Sequence, residues 1–310
     1  FLCRPQPAMG TPLFPFALTL LAAVTAAPDP QVMREERFQS VLAEMDLAAA
    51  EQACLNPRIA NSDGRRQALR DLLLELHPVI DSLELVLANA EALMSCGAPE
   101  AAAVVLNRYI PRVGDERSQW LLLRWRAAAA ALDHRQAALA LRRLVDGNLK
   151  ALDEPLFPGK PLSDQGNGLD QLALHEAALG YNAVAVELQL LGDLTGVQGA
   201  KRLARAAQWL DADQFEQADQ LLETALDQAA AAEAWGLAMD LLHQQLHLQL
   251  AAGGDGARPR QRIQRLATVL NDRYALQKLQ PEAEPDPLLR SPRDPGGHAD
   301  VRPSAVAPSP

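Results

Sequence analysis

Aromatic residues are scarce in this chain: Phe, Trp and Tyr make up only 4% of its 310 residues, although 48% of the chain is hydrophobic. Alanine and leucine supply most of the apolar content instead, a composition typical of closely packed helices. No segment shows the alternation of apolar and polar residues that marks a half-buried β-strand. Composition and periodicity together predict an all-α fold.

Positive charge is also in short supply. The chain has 29 Lys and Arg residues against 39 Asp and Glu residues, which gives a formal net charge of −10. Proteins that bind nucleic acid rely on clustered Lys and Arg residues that displace counterions from the phosphates, so this balance predicts no nucleic-acid partner. Beyond the N-terminal residues no apolar run approaches the roughly 18 residues that a spanning helix needs, so no membrane span is predicted.

Cysteine is limited to Cys3, Cys54 and Cys96. This number is too small for a disulfide scaffold, and the spacing lacks the close pairs of a zinc or redox site. Buried or unpaired thiols are therefore expected. If the chain is exported and trimmed, Cys54 and Cys96 become an even pair that could form one bridge.

Residues 1–33 are predicted to be an N-terminal extension, either a signal peptide or a non-native segment. Counted from Met9, the stretch PLFPFALTLLAAVTAA has the length and apolarity of a signal-peptide core, with small residues near Ala26 at the cleavage position. No Lys or Arg lies between Met9 and that core, and Met33 is an alternative start. The expected location is cytoplasmic, or exported if residues 9–26 act as a signal peptide.

The remainder divides into a predicted helical-repeat domain, residues 34–280, and a tail, residues 281–310. In the domain, helical segments alternate with short clusters of Gly, Pro, Asn and Asp. The tail is rich in Pro, Gly and charge and has no periodicity, so it is predicted to be disordered.

One amphipathic stripe recurs along the domain. In the segment FEQADQLLETALDQA, residues 215–229, the positions i, i+3, i+4, i+7 and i+8 are apolar: Ala218, Leu221, Leu222, Ala225 and Leu226. With this stripe included, stripes begin at residues 69, 102, 137, 184, 218 and 263. Three of the five intervals between successive first residues lie within one residue of 34. The two longer intervals contain insertions, at 146–168 and 253–256. Each stripe follows another helical segment, for example residues 83–94 and 234–250, so the repeating unit is a helical hairpin.

Two local details belong to this prediction. The stripe that begins at Ala102 is expected to continue through Tyr109 and Ile110. Asp213 and Glu216 form a D-x-x-E pattern that resembles a capping box at the start of the helix containing Ala218.

A helical hairpin repeated about every 34 residues resembles the tetratricopeptide repeat and its relatives among α-helical solenoids. The resemblance covers about residues 35–279, and its small and apolar second-helix positions are matched by Ala218, Leu222 and Ala225. The family's Trp, Leu, Gly and Tyr pattern in the first helix is not reproduced. The resemblance implies an α-α superhelix of about six stacked hairpins.

The same resemblance implies a function. Such arrays bind proteins or peptides on a curved face, and the chain is expected to be a non-enzymatic scaffold for protein–protein or protein–peptide interaction. If the register holds, the inner face includes Glu84, Glu91 and Ser95 from one hairpin and Gln119 and Arg126 from the next. No catalytic residue and no cofactor is predicted, and the oligomeric state is left open.

The alternative is an enzyme subunit or a cell-envelope assembly factor, with its site in the 146–168 loop or at the face that carries His243 and His247. These histidines stand at i and i+4 on one helix, as in zinc proteases, but Gln244 occupies the position of the catalytic Glu. No metal site is therefore predicted. Arg258, Arg260 and neighbouring arginines give the last long helix a basic start, which indicates solvated helix charge or an anionic partner.

Overall fold

The computed structural model describes residues 30–56, 59, 62–78, 81–154, 167–210 and 212–279. Fourteen α-helices and two short 3₁₀ helices occur in these ranges, which contain no β-strand. The predicted all-α fold is thus confirmed for this part of the chain. The predicted tail, residues 281–310, lies outside the described residues.

The chain divides into two compact units, one ending at Asp46 and one beginning at Leu47. The first contains α1 (Pro30–Leu42). The second contains α2 (Leu47–Leu55), α3 (Asp63–Glu75), α4 (Leu83–Ser95), α5 (Pro99–Leu106), α6 (Asp115–Ala130), α7 (His134–Leu144), α8 (Gly168–Ala178), α9 (Asn182–Leu191), α10 (Gly196–Trp209), α11 (Phe215–Ala231), α12 (Trp235–Ala251), α13 (Ala257–Val269) and α14 (Arg273–Lys278). The 3₁₀ helices are Leu149–Asp153 and Ala212–Gln214.

From α2 onward, every helix packs against the next one in the chain. Contacts also join α2 with α4, α3 with α5 and α4 with α6, so each helix near the start of the unit touches its second neighbour as well. Helices that pack in sequence order are compatible with a helical-repeat stack.

The recurrent stripes form the core between these helices. In α5, Ala102, Val105 and Leu106 have no exposed surface, and in α11 Leu222 and Ala225 are equally buried. Fully burying a Leu or Val side chain contributes about 1.5–3 kcal/mol, whereas alanine chiefly allows close helix approach. Apolar burial on one side of each helix therefore holds consecutive helices together.

One type of turn ends six of the helices. The amide two residues beyond the C-cap donates to a carbonyl of the last turn, the pattern of a Schellman motif. These bonds measure 2.8–2.9 Å and run from Ala98 to Leu93, Asp133 to Ala128, Tyr181 to Glu176, Ala234 to Ala229, Gly254 to Gln249 and Asp272 to Ala267. The residue before each donor has positive φ: Gly97, Leu132, Gly180, Glu233, Gly253 and Asn271. The chain thus reverses by the same local geometry at each of these places.

The expected extension of one stripe is wrong. Helix α5 ends at Leu106, and Ile110 is 89% exposed rather than buried. Pro111 follows it, and a residue before proline is disfavoured in helical backbone. The Tyr109 hydroxyl instead bonds to the Glu116 carboxylate at the start of α6.

Helix starts also differ from expectation. The pattern at Asp213 does not form the predicted cap, because a 3₁₀ turn precedes α11 and its N-cap is Gln214, which makes no side-chain capping bond. A complete capping box occurs instead at the start of α8, where the Asn167 side chain accepts from the Asp170 amide and Asp170 accepts from the Asn167 amide. Both partners satisfy backbone donors that the helix leaves unpaired.

Candidate functional site

Five helices each carry a row of exposed or half-buried side chains along one side. We call this set the first-helix face, since α4, α6, α8, α10 and α12 each precede a stripe-bearing helix. Its exposed or half-buried members are Glu84, Glu91, Ser95, Gln119, Leu122, Arg126, Gln171, Leu174, Ala178, Gln198, Lys201, Arg205, Gln208, Asp240, His243, His247 and Leu250. Their spacing of three, four or seven residues within each helix places them on one side of that helix.

Polar contacts link each of these helices to the next one in the set. Glu91 on α4 pairs with Arg126 on α6 at 3.2 Å. The later links are Trp125 on α6 to His175 on α8, Arg202 on α10 to Asp170 on α8, and Gln244 on α12 to the Ala204 carbonyl on α10. The first helices are therefore neighbours in space although each pair is separated by another helix in the chain.

The five residues predicted to bind a partner all lie on α4 and α6. The structure brings Glu91 and Arg126 together across the two helices, with 53% and 40% of the side chains exposed. Glu84 and Gln119 are exposed and Ser95 is half-buried on the same helices. An exposed ion pair of this kind contributes about 0–1 kcal/mol, so neither charge is needed for the fold.

His175 is the centre of a buried polar cluster that the sequence did not predict. The Trp125 indole Nε1 donates to His175 Nε2 at 3.1 Å, and the Nδ1 atoms of His175 and His134 lie 3.1 Å apart. An indole nitrogen only donates, so Nε2 of His175 is an acceptor and its proton resides on Nδ1. His134 Nδ1 then accepts that proton's hydrogen bond. Burial, with a smaller contribution from His134, lowers the pKa of His175 from 6.5 to about 4.

Two carboxylates on α8, those of Glu176 and Asp170, are buried and paired with arginines. Arg142 on α7 holds Glu176 at 2.8 Å, and that carboxylate side chain is only 8% exposed. Arg202 on α10 donates to Asp170 at 2.9 Å and to Asp153 at 2.5 Å, and both the Arg202 and Asp170 side chains are 4% exposed. Helix α8 is thus joined by charged or aromatic side chains to α6, α7 and α10.

Arg202 also closes the base of the 146–168 insertion. Asp153 precedes and Asn167 follows the part of the loop that lies outside the described residues, 155–166, and Asn167 Nδ2 donates to the Asp153 carbonyl at 2.8 Å. The Asp193 amide donates to Asp153 as well, at 2.9 Å. Burial favours a higher pKa for Asp153, but the hydrogen bonds from Arg202, Asp193 and Asn167 outweigh it and lower the pKa below its usual value.

The histidines of the alternative site lie on α12. His247 is exposed and His243 is half-buried, both on the first-helix face. No group of three or more His, Cys, Asp or Glu residues that could hold a metal ion occurs within the ranges that the structure describes.

The basic start of α13 contacts acidic residues of α11. Arg258 pairs with Asp219 at 2.5 Å, and Arg262 pairs with Glu223 at 2.7 Å. The Gln245 side chain of α12 donates to Glu223 at 2.6 Å and so joins α12 to α11. Two of the arginines that suggested an anionic partner therefore have their acidic partners within the fold.

The polar contacts in these clusters join one helix to another. Each buried charge has an opposite charge within hydrogen-bond distance, as buried ions require. The sequence contained one usable signal, the Asn167-x-x-Asp170 spacing of a helix start, which begins at the end of the predicted insertion. The other pairings join residues 14 to 50 positions apart, so local patterns carry no information about them.

None of the helices in the described ranges combines the length and apolarity required to cross a bilayer. The chain matches no model of a known protein family and no curated protein sequence.

Proposed function

We propose that the chain is a non-enzymatic helical-repeat scaffold that binds a protein or peptide on its first-helix face. In this proposal α2 to α13 form six hairpins, stacked as in a tetratricopeptide-like superhelix, and the first helices line the binding side. The observation that supports it is the chain of contacts between alternate helices, from Glu91 and Arg126 to Ala204 and Gln244. Alternate helices that touch in order are what a two-layer stack of hairpins requires.

The composition of the face supports a peptide or protein partner. Leu174 is exposed at the middle of the array, and charged side chains lie on both sides of it, including Arg126 on α6 and Lys201 on α10. A mixture of aliphatic and charged groups resembles the surface of non-obligate protein interfaces. Glu84, Glu91, Ser95, Gln119 and Arg126 form the proposed binding set at the N-terminal half of this face.

The test uses charge reversal on this face with matched changes elsewhere. Immobilised wild type, Glu91→Lys and Arg126→Glu are compared for the proteins that they capture from native lysate, quantified by mass spectrometry. Glu100→Lys on α5 and Arg135→Glu on α7 are controls, because both residues are exposed on the second helices. Circular dichroism and thermal melts establish that all five proteins are folded.

The proposal predicts that a defined set of captured proteins is lost from both first-helix variants and retained by both controls. The double variant Glu91→Arg with Arg126→Glu restores the ion pair but reverses its direction, so it separates loss of the pair from loss of the partner's contacts. Capture that is unchanged by both single reversals on the first-helix face would refute this binding set.

A further inference from the structure

Few apolar side chains of helix α2 are buried, so noncovalent packing fixes its position only weakly. It has nine residues, and its buried side chains are Ala50, Ala53 and Cys54. Isolated helices shorter than about 12 residues are marginal in water, and buried alanines provide little apolar area. A helix of this kind needs another source of attachment.

A disulfide provides that attachment. Cys54 in α2 is bonded to Cys96, the C-cap residue of α4, and their Cα atoms are 4.8 Å apart. Both cysteines are buried, at 5% and 3% exposure. The bond joins positions 42 residues apart and spans the whole of α3.

A side chain of helix α3 holds the backbone at Cys96 in position. The Arg70 guanidinium donates to the Cys96 carbonyl at 2.9 Å and to the Gly97 carbonyl at 2.7 Å. The backbone around Cys96 is thus anchored by a side chain of α3, and Cys54 meets it where α2 packs against α4. The 4.8 Å between the two Cα atoms lies in the range that a disulfide spans.

We propose that this protein folds and works in an oxidising compartment, where the Cys54–Cys96 bridge fixes α2 on α4. Structural disulfides persist in such compartments and are rare in the reducing cytosol. Forming the bond removes two protons and two electrons from the two thiols, and a disulfide oxidant of the compartment accepts them and becomes a dithiol. Of the two locations considered from the sequence, cytoplasmic or exported, this proposal favours export. This inference is independent of what the first-helix face binds.

The first experiment determines the state of the cysteines in protein from its native cells. Free thiols are blocked with an alkylating reagent under acid quench, and peptides are identified by mass spectrometry before and after reduction. The expected result is a linked pair of peptides containing Cys54 and Cys96 in most molecules. Free thiols at both positions, or a bridge to Cys3 instead, would overturn the proposal.

The second experiment measures what the bridge does. Reducing the purified wild type with dithiothreitol is expected to lower Tm by roughly 10 °C and to increase hydrogen exchange of the α2 amides at least tenfold, with α12 unchanged. The double variant Cys54→Ala with Cys96→Ala should show the same rapid exchange in α2 and no response to reductant. In the untrimmed chain, Cys3→Ser is the matched control and should behave as wild type. Equal exchange in α2 before and after reduction of the wild type would contradict the assigned role.

Discussion

Acidification should destabilise this protein through one buried histidine. The pKa of His175 is lowered from 6.5 to about 4 by burial and by His134, whereas in the unfolded chain it returns to its ordinary value. Between these two values the unfolded state binds a proton that the folded state does not bind. Stability from the neutral imidazole is therefore complete above pH 6.5 and is lost as the pH falls toward 4.

The size of the effect follows from the two pKa values. One pKa unit corresponds to about 1.4 kcal/mol, and integration from pH 7.5 to pH 5.0 gives a loss of about 2 kcal/mol in the free energy of unfolding. The geometry gives the same direction, because protonated His175 would place an N–H on Nε2 against the Trp125 indole N–H, 3.1 Å away. At pH 5.0 most carboxylates are still ionised, so their contribution to the change is small.

The assay is urea unfolding followed by circular dichroism at pH 7.5 and 5.0, with wild type and His175→Gln compared. The glutamine oxygen can accept from Trp125 but does not titrate, so the variant should lose about 2 kcal/mol less than wild type on acidification. His247→Gln, a change at an exposed histidine, is the control and should retain the wild-type response. If His175→Gln and wild type lose the same stability, the proton assignment in the cluster is wrong.

Four further changes test the packing and the ends of the helices by urea unfolding. Arg202→Met leaves the Asp170 carboxylate buried without its main partner and should lower the free energy of unfolding by about 3–5 kcal/mol, whereas Arg205→Ala, at a partly exposed ion pair of 3.9 Å, should lower it by less than about 1 kcal/mol. Asn167→Ala removes the capping box of α8 and should lower stability by about 1 kcal/mol. Leu132→Gly should raise stability by about 0.5 kcal/mol, because Leu132 is 74% exposed and has a φ of 58°. Equal effects of the two arginine changes, a stabilising Asn167→Ala or a destabilising Leu132→Gly would contradict these assignments.

The predicted helical segments agree closely with the structure where the stripe is clear. The segments expected at residues 83–94 and 234–250 correspond to α4 (Leu83–Ser95) and α12 (Trp235–Ala251). Agreement fails at helix ends, as at Ile110 and Asp213, because apolar spacing does not register a proline or a preceding 3₁₀ turn. Helix ends depend on one or two residues, whereas a stripe sums evidence over many.

The candidate site was predictable only in part. The resemblance to tetratricopeptide repeats implied that Glu91 and Arg126 lie on one face of successive first helices, and the structure brings them within 3.2 Å. The buried groups of α8 were missed because polar residues on a helix are normally expected to face solvent. Only a partner from another helix, such as Arg202 for Asp170, makes burial of a carboxylate tolerable.

By itself the sequence determined the helices and the turns that end them. Both depend on residues three to five positions apart, such as the amide of Ala98 and the carbonyl of Leu93, so their causes lie within a short segment. Tertiary structure alone decided the pairing of Trp125 with His175, of Arg202 with Asp153 and of Cys54 with Cys96. These residues are 42 to 50 positions apart, and they meet because apolar faces stack the helices in order and bring distant side chains to the same boundary.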